Sequence, residues 1–187
     1  MKLFLTLEPW KLFLLLIVFP VSVQFSGLFL YQDPPAMVGL LLWGSLPVMG
    51  SYLTWLYVVG SSLQSKLPES LRMKISRFRI AIIIPFIFTT LFLVFFWKAM
   101  TGSDEGFEAL FAALPLISLG QLAVMGCMLY VFYFFGKALK MAECQRPVAA
   151  SEVAIECIFL AMLPVGVWFL QPRIKEIFEM KRTQSNE

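Results

Sequence analysis

The chain has 187 residues, 59% of them hydrophobic and 14% charged, with 15 Lys and Arg against 12 Asp and Glu and a formal net charge of +3. Soluble domains carry roughly a quarter charged residues, and a chain of this size has too little interior to hide so many apolar side chains. That composition and a mean hydropathy of +0.80 exclude a soluble globular domain and a disordered chain, and the absence of His excludes histidine-ligated haem, His-containing zinc sites and Ser/His or Cys/His catalytic pairs.

A membrane helix needs about 20 predominantly apolar residues. The first such run covers about Leu12 to Tyr31, behind Lys2 and Lys11. It is longer than the apolar part of a signal peptide and lacks an A-x-A-like cleavage site, so it reads as a retained signal anchor. Pro20, Gln24, Gly27 and Tyr31 share one of its faces. The connection that follows, Gln32 to Ala36, has no base.

The second run covers about Met37 to Gly60. Gly44, Pro47, Ser51 and Thr54 recur at helical spacing with Gly50 at the margin, a stripe that lets another backbone approach closely. Close packing within the monomer and a homodimer contact both fit the pattern.

Next comes a basic stretch, residues 67–79. Leu67, Leu71, Ile75 and Phe78 recur at helical spacing among Arg72, Lys74, Arg77 and Arg79. This pattern predicts an amphipathic helix lying along the cytoplasmic interface, its bases near anionic headgroups.

The third run, about Ile80 to Met100, carries Pro85, Thr89 and Thr90 and ends near Trp97 and Lys98. An acidic connection with Asp104, Glu105 and Glu108 leads to the fourth run, about Ala109 to Gly136, which carries Pro115, Ser118 and Gln121. Lys137, Lys140 and Arg146 follow it. Basic and non-basic connections alternate, which predicts four spans with the amino end in the cytoplasm, as in a bacterial inner membrane.

The fifth apolar run, about Val153 to Gln171, is interrupted by Pro164 and Gly166 and followed by Pro172. A full crossing would export Arg173, Lys175, Lys181 and Arg182. A re-entrant hairpin keeps that basic, amphipathic segment, residues 173–182, in the cytoplasm; a fifth transmembrane helix is the alternative.

Every run holds a proline, so kinked helices are expected, with Ser, Thr and Gln side chains satisfying the freed carbonyls. Trp10, Trp43, Trp55, Trp97 and Trp168, with Tyr31 and Tyr57, fall mostly near the ends of the runs and read as an aromatic belt at headgroup level. The fold class is therefore an all-α integral membrane protein: a four-helix transmembrane bundle forming one multi-pass domain over residues 1–187, with the C-terminal hairpin and the interface helix.

Gln24, Ser51, Thr89, Gln121 and Glu156 are the candidate intramembrane polar site. Glu156 stands out, because an ionisable group in a membrane segment is a functional candidate; Lys137, Lys140 and Arg173 are its available counter-ions. Arg72, Lys74, Arg77, Arg79, Lys137, Lys140, Arg173 and Lys175 are candidate contacts for anionic headgroups or ligands. Cys127, Cys144 and Cys157 show no metal-like spacing, and no Gly-rich phosphate cradle occurs. No cofactor, metal or nucleic acid is expected; the expected partners are membrane lipids and a second copy or another membrane subunit. These features favour a non-enzymatic accessory, assembly or regulatory subunit of a membrane complex. A small oligomeric channel or transporter is the second reading. A lipid-modifying enzyme relying on Glu156, Glu143, Tyr or Lys is the third.

Overall fold

The computed structural model describes residues 7–30, 34–102 and 104–184, and among these it contains helices and turns but no strand. Four helical stretches are long and apolar enough to cross a membrane: Pro9–Gly27, Ala36–Gln64, Ile75–Thr101 and Glu108–Cys144. The expectations on Lys2, Tyr31, Gln32 and Asp33 lie outside the described residues, as do those on the side chains of Asp104, Glu105, Pro164, Lys181 and Arg182.

The first span begins as α1 (Pro9–Phe13), with a proline in its first turn where the missing N–H costs nothing. It widens into a π turn at Leu14–Val18 and resumes as α2 (Phe19–Leu30). The wide turn sits where Pro20 requires it: the proline cannot donate to the Leu16 carbonyl, and its ring would crowd that oxygen in a regular helix.

The remaining spans are α3 (Pro34–Gln64), α4 (Ile75–Thr101) and α5 (Asp104–Cys144). Successive spans run antiparallel and meet through glycines. A Cβ at Gly27 would run into Leu40, and one at Gly44 would lie 2.6 Å from the Gln24 side chain. Gly39 and Gly60 of α3 face Trp97 and Phe78 at opposite ends of α4, while Gly120 of α5 lies under Phe88.

Residues 67–79 do not form the continuous interface helix that their spacing predicts. Glu69–Leu71 is a single 3-10 turn, Arg72 is extended, and α4 begins at Ile75. Local non-helical bonds override the periodicity: the Met73 N–H donates to the buried Gln64 side chain at 2.9 Å, and the Arg72 Nε donates to the Leu67 carbonyl at 3.2 Å. Ile75 and Phe78 therefore belong to the first turn of a span.

The fourth span also differs from its expected end at Gly136. α5 has 41 residues, about 60 Å at 1.5 Å per residue, roughly twice the hydrocarbon thickness. Its last turns persist because Ala138, Leu139, Met141 and Ala142 are buried against the C-terminal segment. Gln145, at φ 52°, ends the helix in the left-handed conformation common after a C-cap.

A 3-10 turn (Ala150–Val153) leads into α6 (Ala154–Ala161) and α7 (Leu163–Gln184), separated by the non-helical Met162. The two helices pair antiparallel: Phe159 stacks on Phe169 with ring centroids 4.9 Å apart, and Glu156 meets Arg173 further from the turn. Gly166 sits so close that any Cβ there would overlap the Phe159 carbonyl. Residues 173–184 continue α7; Ile174 and Ile177 are buried, and the Lys66 ammonium lies 5.3 Å from the ring centre of half-buried Phe178.

The core lies at the end of the bundle that carries the basic residues. It joins Leu12 and Leu16, Trp55 and Leu63, Phe78, Phe135 and Leu139, and Leu170 and Ile174. Trp55 is 1% exposed, stacks on Tyr52 and meets Phe135 at a tilt, so it belongs to this core and not to an aromatic belt. In the other half of the spans, residues such as Phe29, Leu91, Phe111 and Leu116 face outward.

Candidate functional site

The strongest concentration of chemistry lies where α5, α6 and α7 meet. Glu156 follows the 3-10 turn on α6 and is only 2% exposed. Gly136 of α5 makes room for it, since a Cβ there would lie 3.0 Å from the Glu156 Cβ and 2.7 Å from Val153. Arg173 approaches from α7: one guanidinium nitrogen donates to Glu156 Oε1 at 3.0 Å, while Nε and Nη2 both donate to Glu143 at 2.7 Å. Lys140, one turn below Glu143 on α5, lies 3.5 Å from Glu156. Two acids thus balance two bases. Hydrogen bonding to Glu143 is the main reason that Arg173 is pushed above its ordinary basicity; burial works against it and Glu156 adds to it.

A fork-to-fork Arg–carboxylate pair fixes direction as well as distance. The quartet therefore fastens the open end of the α6–α7 pair to α5. The other Glu156 oxygen, Oε2, is buried with no hydrogen bond to a described residue.

Two further bonds hold the pair deeper in the bundle. Tyr52 of α3 donates to the Leu160 carbonyl at 2.7 Å, next to the turn. Residue 164 would be the helical partner of that carbonyl, but a proline stands there and has no N–H to give. Tyr52 takes its place. At the other end the Gln171 amide donates to the Leu7 carbonyl at 3.0 Å, and Trp168 packs on Phe13 at 6.1 Å between ring centres. Tyr52, Gln64 and Gln171 were not among the candidate residues. Their signal was present: each is a hydrogen-bonding side chain at the edge of, or within, an apolar run with a break nearby.

The five candidate intramembrane residues do not converge. Among the described residues no hydrogen bond joins any two of them. Gln24 donates to the Leu41 carbonyl of α3 at 3.3 Å, and Ser51 to Val48 of its own helix at 2.9 Å. Thr89 is half-buried, Gln121 faces outward, and Glu156 alone of the five is buried. The stripe of compact residues divides too. Gly44 receives Gln24; Pro47 and Thr54 are exposed; Gly50 and Thr54 line a groove beside α4.

The hydroxyls of Ser26, Ser45, Thr54, Thr90 and Thr101 donate to carbonyls of their own helices. They are not turned toward a shared cavity. Three grooves are apolar: one between α3 and α4, of about 460 Å³, and two between α4 and α5, of about 390 and 260 Å³.

The basic candidates fall into two groups. Lys140 and Arg173 are engaged by Glu156 and Glu143. Arg72, Lys74, Arg77 and Arg79 are exposed at the same end of the bundle; the Arg79 guanidinium lies 5.8 Å from the Tyr57 ring centre. Lys137 is half-buried and donates to the Tyr133 hydroxyl at 3.1 Å, and Lys175 is half-buried on α7. Cys127, Cys144 and Cys157 are free thiols. Among the described residues no group of three His, Cys, Asp or Glu is placed to hold a metal ion.

Comparison with family models, curated proteins and solved structures finds no match to this chain.

Proposed function

We propose that the chain is a non-enzymatic accessory subunit that docks another transmembrane helix on the outer face of α5. The observation that carries this reading is Gln121. It is exposed on α5 and has no hydrogen bond to a described residue. It also stands at mid-depth: its neighbour Gly120 lies under Phe88, near the middle of α4 (Ile75–Thr101). An amide left unpaired in hydrocarbon is costly. A hydrogen bond from a neighbouring helix, contributing on the order of 1 kcal/mol, removes that cost. The partner can be a second copy or a different membrane subunit.

The back-bonded hydroxyls and apolar grooves argue against the channel reading. The balanced charge quartet, which clamps helices together, argues against the enzyme reading.

The test is purification from native membranes in a mild detergent. A stoichiometric partner or a second copy should accompany the wild-type chain and be lost with Gln121→Leu. A wild-type chain recovered alone, as a monomer, would reject the proposal.

For topology, the exposed basic cluster opposite an acidic connection supports an inner-membrane location with the amino end in the cytoplasm. The α6–α7 pair is a re-entrant hairpin on this reading. Beside its irregular turn at Met162, the Tyr52 hydroxyl of α3 serves the Leu160 carbonyl, as non-helical backbone at membrane depth demands of a neighbouring helix. The wide turn before Pro20 supports a bend in the first span. Cys144 is exposed on the basic side. A cysteine placed by Ser185→Cys should react with an impermeant reagent from that same side; reaction from the other side rejects the hairpin.

A further inference from the structure

We infer that α4 carries two sites for anionic glycerophospholipids, one on each flank, with Arg79 and Arg77 as the phosphate contacts. The two arginines lie two positions apart, about 200° around a helix, and so serve opposite sides of α4.

The groove between α3 and α4 holds about 460 Å³ and has Leu53, Ile82, Ile83 and Phe86 as its wall. Gly50 forms its floor, where an added Cβ would meet only Phe86, at 3.5 Å. Arg79 closes the basic end of this groove, its guanidinium over Tyr57. The groove between α4 and α5 holds about 390 Å³, with Ile80, Ile84 and Ala123 along it, Arg77 and Tyr130 at its basic end, and Gly126 leaving open space.

Each groove thus repeats one arrangement: an arginine on α4, a tyrosine on the facing helix, and an apolar trough kept open by a glycine. An acyl chain fits the trough, and the guanidinium meets a phosphate oxygen at headgroup level, with geometry suited to that anion. The third groove provides the contrast. It lies between α4 and α5 toward the acidic connection, is lined by Phe88, Phe92, Phe95 and Leu116 among other apolar residues, and has no cation. The charge complementarity is confined to the basic end, where Arg72 and Lys74 are also exposed. These sites are independent of any protein partner on α5.

Native mass spectrometry of the full chain in a non-phospholipid detergent, titrated with phosphatidylglycerol, tests this. Two retained lipids are expected, with phosphatidylcholine retained more weakly. Arg77→Gln and Arg79→Gln should each weaken one site about fivefold, the contribution of one base at a lipid surface. Gly50→Leu should block one site, whereas Ala113→Leu, which fills the third groove, should change nothing. The arginines are exposed, so their replacement tests the sites without disturbing the core. Inorganic phosphate should not compete, because the trough contributes binding. Equal retention of phosphatidylcholine, competition by phosphate, or unchanged phosphatidylglycerol binding in the Arg77→Gln/Arg79→Gln double variant would overturn the proposal.

Discussion

Arg173 reaches Glu156 across the α6–α7 pair, with Nη2 3.0 Å from Oε1, while the same guanidinium is gripped by both oxygens of Glu143. One side chain thereby couples three helices, and the roles of its two partners differ. The Glu143 side chain is 24% exposed and can be hydrated; that of Glu156 at 2% cannot.

That asymmetry predicts unequal costs. Arg173→Leu leaves the buried Glu156 with only Lys140 at 3.5 Å. Removing one partner of a buried pair costs about 3–5 kcal/mol, and the lower end applies because Arg173 is 31% exposed. Glu156→Gln keeps the shape and leaves Arg173 on Glu143, so its cost is about 1 kcal/mol, that of a single hydrogen bond. Thermal unfolding in detergent, followed by tryptophan fluorescence, should rank Arg173→Leu well below Glu156→Gln. Equal midpoints would show that the quartet does not hold the helices.

Tyr52→Phe isolates a second tie. The substitution removes one oxygen, the donor to the Leu160 carbonyl at 2.7 Å. That carbonyl has no helical donor, because residue 164 is a proline. Leaving a buried acceptor unpaired costs about 1–3 kcal/mol. The unfolding midpoint should fall while far-ultraviolet circular dichroism stays constant. A wild-type midpoint would mean that another donor serves this carbonyl.

That four helices are long and apolar enough to cross a membrane was legible because hydropathy over about 20 residues averages out local detail. Glu156 was also marked in advance, by its rarity as an acid in an apolar run. Other features depended on bonds and contacts that hydropathy and periodicity do not encode. The break of the 67–79 periodicity at Ile75 depends on Gln64, and the extension of α5 past Gly136 depends on burial of Ala138 and Leu139 by later residues. Trp55 resembles a belt residue in one dimension; only its contacts with Tyr52 and Phe135 mark it as core. Within the chain the small-residue stripe is not a single contact, because α3 lies between α2 and α4 and its glycines are divided between them.

Two glycines should respond unequally to the same substitution. A methyl group at Gly166 would overlap the Phe159 carbonyl, a main-chain atom that cannot rotate aside. Gly166→Ala must push α6 and α7 apart, at about 1–3 kcal/mol for an overpacked site. At Gly126 nothing lies within 4 Å, so Gly126→Ala adds helix propensity without a clash. Midpoints measured side by side should show a loss for Gly166→Ala and none for Gly126→Ala. A tolerated Gly166→Ala would mean that the two helices are not held in this close pairing.

Acid should loosen the turn between α5 and α6 through one carboxylate. Arg146 donates to Glu152 at 2.7 Å, and the Ala149 N–H donates to the same group at 3.1 Å. These bonds, that of Arg146 first, hold the Glu152 carboxyl below its ordinary value of 4.5. A group with a lowered folded value stabilises the fold wherever it is ionised, so its contribution is complete above about 4.5. The contribution is lost as pH falls through the lowered value. Hydrogen exchange across residues 145–153, corrected for intrinsic rates, should therefore show constant protection from neutral pH to about 5 and a decline below the ordinary carboxylate value. Glu152→Gln should abolish that decline, because the amide retains an acceptor but has no proton to gain. If the variant and the wild-type chain lose protection along the same curve, the acid sensitivity of this turn arises from some other group.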